Sequence, residues 1–174
     1  VGSMFIEAGD DIEVANMALS AQSSGASLVL VAGDAVTMGG DAATIASIEG
    51  DSTAVIAEAH TLLSVSAGGT LRLSDDVQLM STGDGSAIEL QAQHISVLGQ
   101  VRAGADSAFA YDPTSEVMSF NPGVLPTYTG KAASLNVFAV DQVTLGEISG
   151  SSETGGVLFA TGSLNVQSGS NVDG

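Results

Sequence analysis

Cysteine is absent from this 174-residue sequence, and so are tryptophan and any apolar run long enough to span a membrane as a helix. Without cysteine there are no disulfides, no thiol catalysis and no cysteine-ligated zinc. Cations are nearly absent too: three Lys and Arg stand against 20 Asp and Glu, for a formal net charge of -17. Because nucleic acids and anionic membranes are bound through basic side chains, neither is expected as a partner.

Apolar residues make up 44% of the chain, and glycine is frequent at 22 residues, whereas aromatic residues account for only 4%. This apolar content is too high for a disordered chain, and the length suffices for one domain with a real core. We therefore expect a single domain over residues 1–174. Its start, Val-Gly-Ser-Met, is typical of a fragment boundary, so we expect a piece of a larger protein.

Short strands interrupted by bends dominate the middle of the chain. The stretch IELQAQHISV, residues 88–97, alternates apolar and polar residues on both sides of Gln93 and His94. This break lacks the Asn-Gly or Asp-Gly chemistry of a hairpin turn, so it predicts a bend and not a reversal. A chain that bends repeatedly and continues is typical of a β-solenoid.

The same strand–corner–strand form recurs along the sequence. Seven segments share it, beginning at Met4, Leu28, Ala54, Leu71, Ile88, Leu135 and Val157. Their variable spacing excludes a strict short-period repeat and predicts a parallel β-helix of about seven coils, with small apolar side chains pointing inward. An antiparallel sandwich or barrel is the competing fold, since short strands at this spacing suit it as well. Residues 11–22 are the best helical candidate, but the same residues fit the repeat, which we favour.

One long insert interrupts the repeats at residues 105–131. It contains all three prolines and both tyrosines, and proline cannot donate a hydrogen bond to a strand ladder. We predict a loop or small hairpin that projects from the corner after a third strand. Its aromatic residues Tyr111, Phe120 and Tyr128 are the predicted partner contacts, because loops on rigid scaffolds often carry function.

The stretch AGDDIEVANMALSAQSSGASLVLVAGDAVTM, residues 8–38, resembles the repeats of filamentous-haemagglutinin-type exoproteins, and residues 88–104 do so as well. The resemblance covers most of the chain outside 105–131. It implies a right-handed parallel β-helix and a rod segment of a secreted or cell-surface bacterial adhesin. The secretion module of that family carries NPNG-type motifs, and the similar string FNPG at 120–123 stands in the wrong context.

Polar residues at the corners are candidate binding sites. His60 and His94 align at corners two coils apart, about 10 Å from the spacing of strands, which is too far for a shared metal. Acidic corners also align, at Asp10–Asp11, Asp34 and Asp75–Asp76. Stacked carboxylates are potential Ca²⁺ ligands, so a calcium-stabilised module is one alternative, although solvated corners are the simpler interpretation.

The sequence therefore predicts a structural or adhesive rod or fibre segment, extracellular or on the cell surface, without catalysis, cofactor or dedicated metal site. Its expected partners are neighbouring coils or copies of itself end to end, and surface glycans. The remaining alternative is a carbohydrate-binding or polysaccharide-lyase-like β-helix. A lyase also needs a basic residue, and only Arg72, Arg102 and Lys131 are available.

Overall fold

The computed structural model describes residues 2–39, 55–104, 110–112, 117–119, 132–149, 152–154, 156–169 and 171–173. This part of the chain is all-β, contains no helix and pairs most of its strands in parallel. Nothing in the described ranges forms a helix long and apolar enough to cross a membrane. The parallel strands lie in a ten-stranded sheet and a five-stranded sheet.

Parallel pairing arranges these strands in three stacks. The first stack consists of β1 (Met4–Ala8), β4 (Ser27–Ala32), β7 (Leu62–Ala67), the first half of β10 (Ala87–Val97), the first half of β14 (Ser134–Leu145) and β18 (Ser163–Ser168). The second consists of β2 (Ile12–Val14), β5 (Val36–Met38), β8 (Thr70–Leu73), the second halves of β10 and β14, and β19 (Asn171–Asp173). The third consists of β3 (Met17–Ala21), β6 (Val55–Ala59), β9 (Val77–Ser81), β11 (Gln100–Ala103) and β17 (Val157–Ala160).

Two antiparallel pairs stand apart from the stacks. β12 (Ala110–Asp112) pairs with β13 (Val117–Ser119), and β15 (Glu147–Ser149) pairs with β16 (Ser152–Thr154). The first pair lies within the predicted insert 105–131, which the chain enters from the third stack and leaves towards the first. The described part of the predicted loop or small hairpin is therefore one antiparallel pair of six residues.

A single hydrophobic core joins the three stacks. Alternation places every second residue of β4 and β7 inside, where Leu28, Leu63 and Ile88 are fully buried in register with one another. Buried residues of β5, β9 and β11 belong to the same cluster. Branched aliphatic side chains on successive strands thus remove a continuous apolar strip from water, which is the main stabilising term of the fold.

The corners between the stacks let the chain turn without reversing. We call the connection from the first stack to the second the first corner, from the second to the third the second corner, and from the third back to the first the third corner. At the first corner, a Cβ on Gly33 would collide with the carbonyl oxygen of Gly9, and one on Gly68 with that of Gly33. Glycine is required here because successive backbones approach closely. This explains the recurring Ala-Gly pairs of the sequence.

The structure corrects the predicted phase of three repeats. The segment from Ala54 begins in the third stack, the segment from Leu71 in the second and the segment from Val157 in the third. The first stack instead continues from Leu28 through Leu63 to Ile88. It has six strand segments in the described residues, where seven repeats were predicted. The error arose because each corner joins two strands and so has the same strand–corner–strand form.

Two alternatives that the sequence left open are excluded for the described residues. Residues 11–22 form no helix; they contain β2 and β3, which are separated by a turn where Asn16 has a φ of 48°. Asparagine tolerates positive φ better than most residues, which lets the chain turn at Asn16 without glycine.

The antiparallel sandwich or barrel is excluded for the described stacks, because all strand pairs within them are parallel.

Candidate functional site

Most of the acidic and histidine residues singled out in the sequence lie along the first corner. Asp10 and Asp11 follow β1, Asp34 follows β4, and His94 lies at the bend inside β10. Asp141, which was not singled out in the sequence, lies at the bend inside β14. Backbone hydrogen bonds tie neighbouring levels together; for example, the N–H of Asp34 donates to the carbonyl of Asp10 at 2.9 Å. The first corner thus carries polar side chains at four levels, with Gly68 and Gly69 at the level between Asp34 and His94.

Three carboxylates meet at one end of the first corner. An oxygen from each of Asp10, Asp11 and Asp34 lies within 4.8 Å of the others, and all three residues are exposed. The Oδ1 of Asp11 also accepts a hydrogen bond from the N–H of Ala35 at 3.0 Å, so this carboxylate has a structural role. Oxygen ligands at this spacing suit a hard cation such as Ca²⁺, and water together with counterions neutralises such a cluster equally well.

The predicted acidic stack is only partly confirmed. Asp75 and Asp76 do not join this cluster, because they lie between β8 and β9 at the second corner. There, a Cβ on Gly39 would collide with the carboxylate of Asp76, so the acid fits against a glycine backbone with positive φ. The two Asp-Asp pairs therefore lie at different corners, and the sequence pattern alone did not distinguish these corners.

The two histidines do not share a corner, contrary to the predicted alignment. His60 lies at the third corner. Its backbone N–H donates to the carbonyl of Ala21, and its backbone carbonyl accepts from the N–H of Gly83. His94 lies at the first corner, with its Nε2 3.5 Å from an Asp141 carboxylate oxygen. Both side chains of that pair are about half exposed, at 52% and 53%, so water screens the attraction and the pair stabilises the corner weakly.

A buried carboxylate on the third stack had no counterpart among the sequence predictions. Glu58 is 1% exposed, although alternation in β6 places its side chain on the outer face of the strand, away from the inward-facing Ala57 and Ala59. Its neighbours in register are Ser20 and Met80, and Met80 is also buried. A buried carboxylate needs compensating polar contacts, and Glu58 does take part in an interaction within the chain. The one available signal was a lone Glu inside the apolar run VIAEA.

Only one of the three predicted aromatic contacts lies in the part of the chain that the structure describes. Tyr111 lies in β12, where its backbone pairs with that of Met118. Phe120 and Tyr128 lie outside the described residues. Of the three basic residues, Arg72 lies on the outer side of the second stack and Arg102 on that of the third, while Lys131 lies outside the described residues.

Phe138, an exposed aromatic residue on a regular strand, was not among the residues predicted from the sequence. It lies in β14 between the buried Val137 and Ala139, and 46% of its surface is exposed. Its backbone is in register with that of Gln91 on one side and Gln167 on the other. The alternation in LNVFA contained this signal, since it places the phenylalanine on the same face as the asparagine.

Comparison with known proteins yields no relative: no protein-family model, curated protein or solved structure matches the chain.

Proposed function

We propose that the chain is a right-handed parallel β-helix that forms a rod-like, structural and adhesive segment of a large extracellular or cell-surface bacterial protein, without catalysis. The observation that carries this proposal is the in-register stacking of parallel strands around one continuous core. The first stack alone runs through six strand segments, from β1 to β18. A fold that grows by adding equivalent levels extends in one direction, which suits a rod.

The right-handed sense follows from a general rule. Connections between parallel strands of one sheet are right-handed in the great majority of cases, because right-twisted strands pack back on each other in that way. The resemblance of residues 8–38 to filamentous-haemagglutinin-type repeats points in the same direction. It is also the basis for proposing a secreted or surface-bound adhesin as the parent protein.

The outermost levels support contacts with a neighbouring coil or another copy, end to end. Among the described strands, β1 pairs only with β4. Met4 and Ile6 at this end, and Leu158 and Val166 at the other, are only partly buried although they pack against the core. A further level placed on either end would cover them and would use the edge hydrogen-bonding groups.

Disulfide trapping tests this end-to-end contact in a chain that has no native cysteine. If β1 of one copy continues the register beyond β18 of another, Phe5 lies opposite Asn165, because Phe5 and Asn165 occupy equivalent positions of the first stack. A Phe5→Cys/Asn165→Cys double variant should then form oxidised oligomers, and a Phe5→Cys/Gln167→Cys variant, displaced by two residues, far fewer. Equal cross-linking of both variants would count against a defined joint.

Surface exposure in the source bacterium tests the functional proposal. An antibody raised against the chain should label intact cells or the culture medium, and protease added to intact cells should remove the cell-bound signal. Labelling only after the cells are lysed would contradict an extracellular adhesive role. A cytoplasmic protein of known location, probed in the same samples, controls for lysis.

A second candidate, a calcium-stabilised extracellular module, is favoured by the cluster of Asp10, Asp11 and Asp34. Binding of Ca²⁺ by the folded state alone would raise the melting temperature in proportion to the logarithm of calcium concentration. Thermal melts with millimolar Ca²⁺, Mg²⁺ or chelator test this candidate. Stabilisation specific to Ca²⁺ and lost in Asp34→Asn would support it, and equal effects of both cations would indicate charge screening.

A further inference from the structure

An uncharged polar surface with an aromatic centre lies on the outer side of the first stack. We call it the amide face and define it by Gln91 of β10, Asn136 and Phe138 of β14, and Asn165 and Gln167 of β18. Phe138 is in register with Gln91 and Gln167, and Asn136 with Asn165. The five side chains therefore occupy adjacent positions on three neighbouring strands.

Strand geometry makes this face flat and open. Neighbouring strands are about 4.8 Å apart, so three strands present side chains over roughly 10 Å, measured across the strands. Gln91, Phe138, Asn165 and Gln167 are exposed, and Asn136 is half-buried. The Nε2 of Gln167 lies 3.4 Å from Oδ1 of Asn165, so these two amides hold each other in position.

The combination of groups favours a carbohydrate. Isolated exposed apolar residues are common and need no explanation. Here, however, the ring of Phe138 has primary amides on both neighbouring strands, and each amide offers both donors and an acceptor. A sugar ring has apolar C–H faces that pack on an aromatic ring, and hydroxyls at its edge that bond to amides.

Charge narrows the class of carbohydrate. The five residues of the amide face carry no charge, while the protein as a whole carries -17. The nearest acidic residue in register is Glu89, which pairs with Asn136. An anionic glycan would be repelled by the overall field, whereas a neutral glycan would not. We propose that the amide face binds an uncharged polysaccharide, with Phe138 stacked on a sugar ring and the amides bonded to its hydroxyls.

This inference does not depend on the proposed rod function, because a rigid flat face would bind a glycan wherever the protein resides. Affinity electrophoresis in native gels tests it, since the acidic protein migrates readily. The gels contain one of three soluble probes: a neutral β-1,4-glucan, a neutral β-1,3-glucan or heparin. At least one neutral glucan should retard the wild-type protein, and heparin should not.

Variants locate the contact. Phe138→Ala should weaken binding about tenfold, the effect of losing one ring contact, and a Gln91→Ala/Gln167→Ala variant should weaken it as well. Phe138→Trp should retain binding because it keeps an aromatic platform. Met17→Ala is the control, since Met17 is an apolar residue that is 52% exposed but lies on the third stack, away from the amide face.

Three results would overturn the proposal. The first is that neither glucan retards the wild-type protein, and the second is that heparin retards it more than the glucans do. The third is that Met17→Ala weakens binding as much as Phe138→Ala, which would indicate non-specific adsorption through exposed apolar side chains. Circular dichroism melts accompany each variant; because Phe138 is exposed, its replacement should leave the melting temperature nearly unchanged.

Discussion

Two adjacent leucines provide a sharp test of the strand phase. Leu63 in β7 is fully buried between Leu28 and Ile88 of the neighbouring strands, whereas Leu62 faces outward, in register with Ser27 and Ala87. Truncating Leu63 to Ala leaves a cavity that the close-packed levels on both sides cannot fill. Leu62→Ala removes the same atoms from a site that is already in contact with water.

The expected magnitudes differ clearly. Replacement of a buried leucine by alanine costs about 2–5 kcal/mol in the free energy of unfolding, and Leu63 has no exposed surface, which places it in that range. Leu62→Ala should cost clearly less, about 1 kcal/mol, because Leu62 is only partly buried and its loss leaves no closed cavity. For a chain of this length, about 3 kcal/mol corresponds to a fall of roughly 6–12 °C in melting temperature.

Equilibrium unfolding in urea, followed by far-ultraviolet circular dichroism, measures both variants against the wild-type protein. The midpoint should fall clearly for Leu63→Ala and little for Leu62→Ala, with similar slopes if unfolding remains cooperative. If Leu62→Ala destabilises the protein as much as or more than Leu63→Ala, the assigned inward and outward faces of β7 are wrong. Such a result would undermine the register of the whole first stack.

Further predictions concern the corners. Gly39→Ala should destabilise the fold more than Gly25→Ala in urea titrations. Both glycines have positive φ, but only at Gly39 would the new Cβ also collide with neighbouring side chains. Equal losses of stability would refute the role of that contact. Asp34→Asn should raise the melting temperature slightly at low salt and without calcium, since it relieves like-charge repulsion, and the gain should shrink in 1 M NaCl; a loss of stability would contradict this. His94→Ala should change the free energy of unfolding by less than about 1 kcal/mol, because its pair with Asp141 is half exposed; a larger loss on urea titration would show a stronger role for the first corner.

The strands and bends were predictable from the sequence, but the assignment of each strand to a stack and of each bend to a corner was not. Alternation over 88–97 identified both halves of β10 and the bend between them. The same local pattern occurs at AVIAEAHTLLSV, where it joins the third stack to the first, so the pattern could not indicate which corner it crosses. Pairing between levels decides this, and it depends on residues more than 20 positions apart.

The site predictions illustrate the same limit. Asp10, Asp11 and Asp34 could be grouped from the sequence because the AGD strings repeat with the true 24-residue offset of β1 and β4. The pairing of His60 with His94 failed because it used the misaligned segment from Ala54. Phe138 was not predicted because only the aromatic residues of the insert were interpreted as functional. Alternation in β14 already indicated that Phe138 lies on the outer face of the strand.

Electron microscopy of the purified protein at near-physiological salt tests the central claim most directly. Copies joined end to end predict filaments with an axial repeat of about 4.8 Å in averaged images, whereas the six levels of one copy span only about 25 Å. Uniform particles of the size of one copy would contradict a rod assembled end to end.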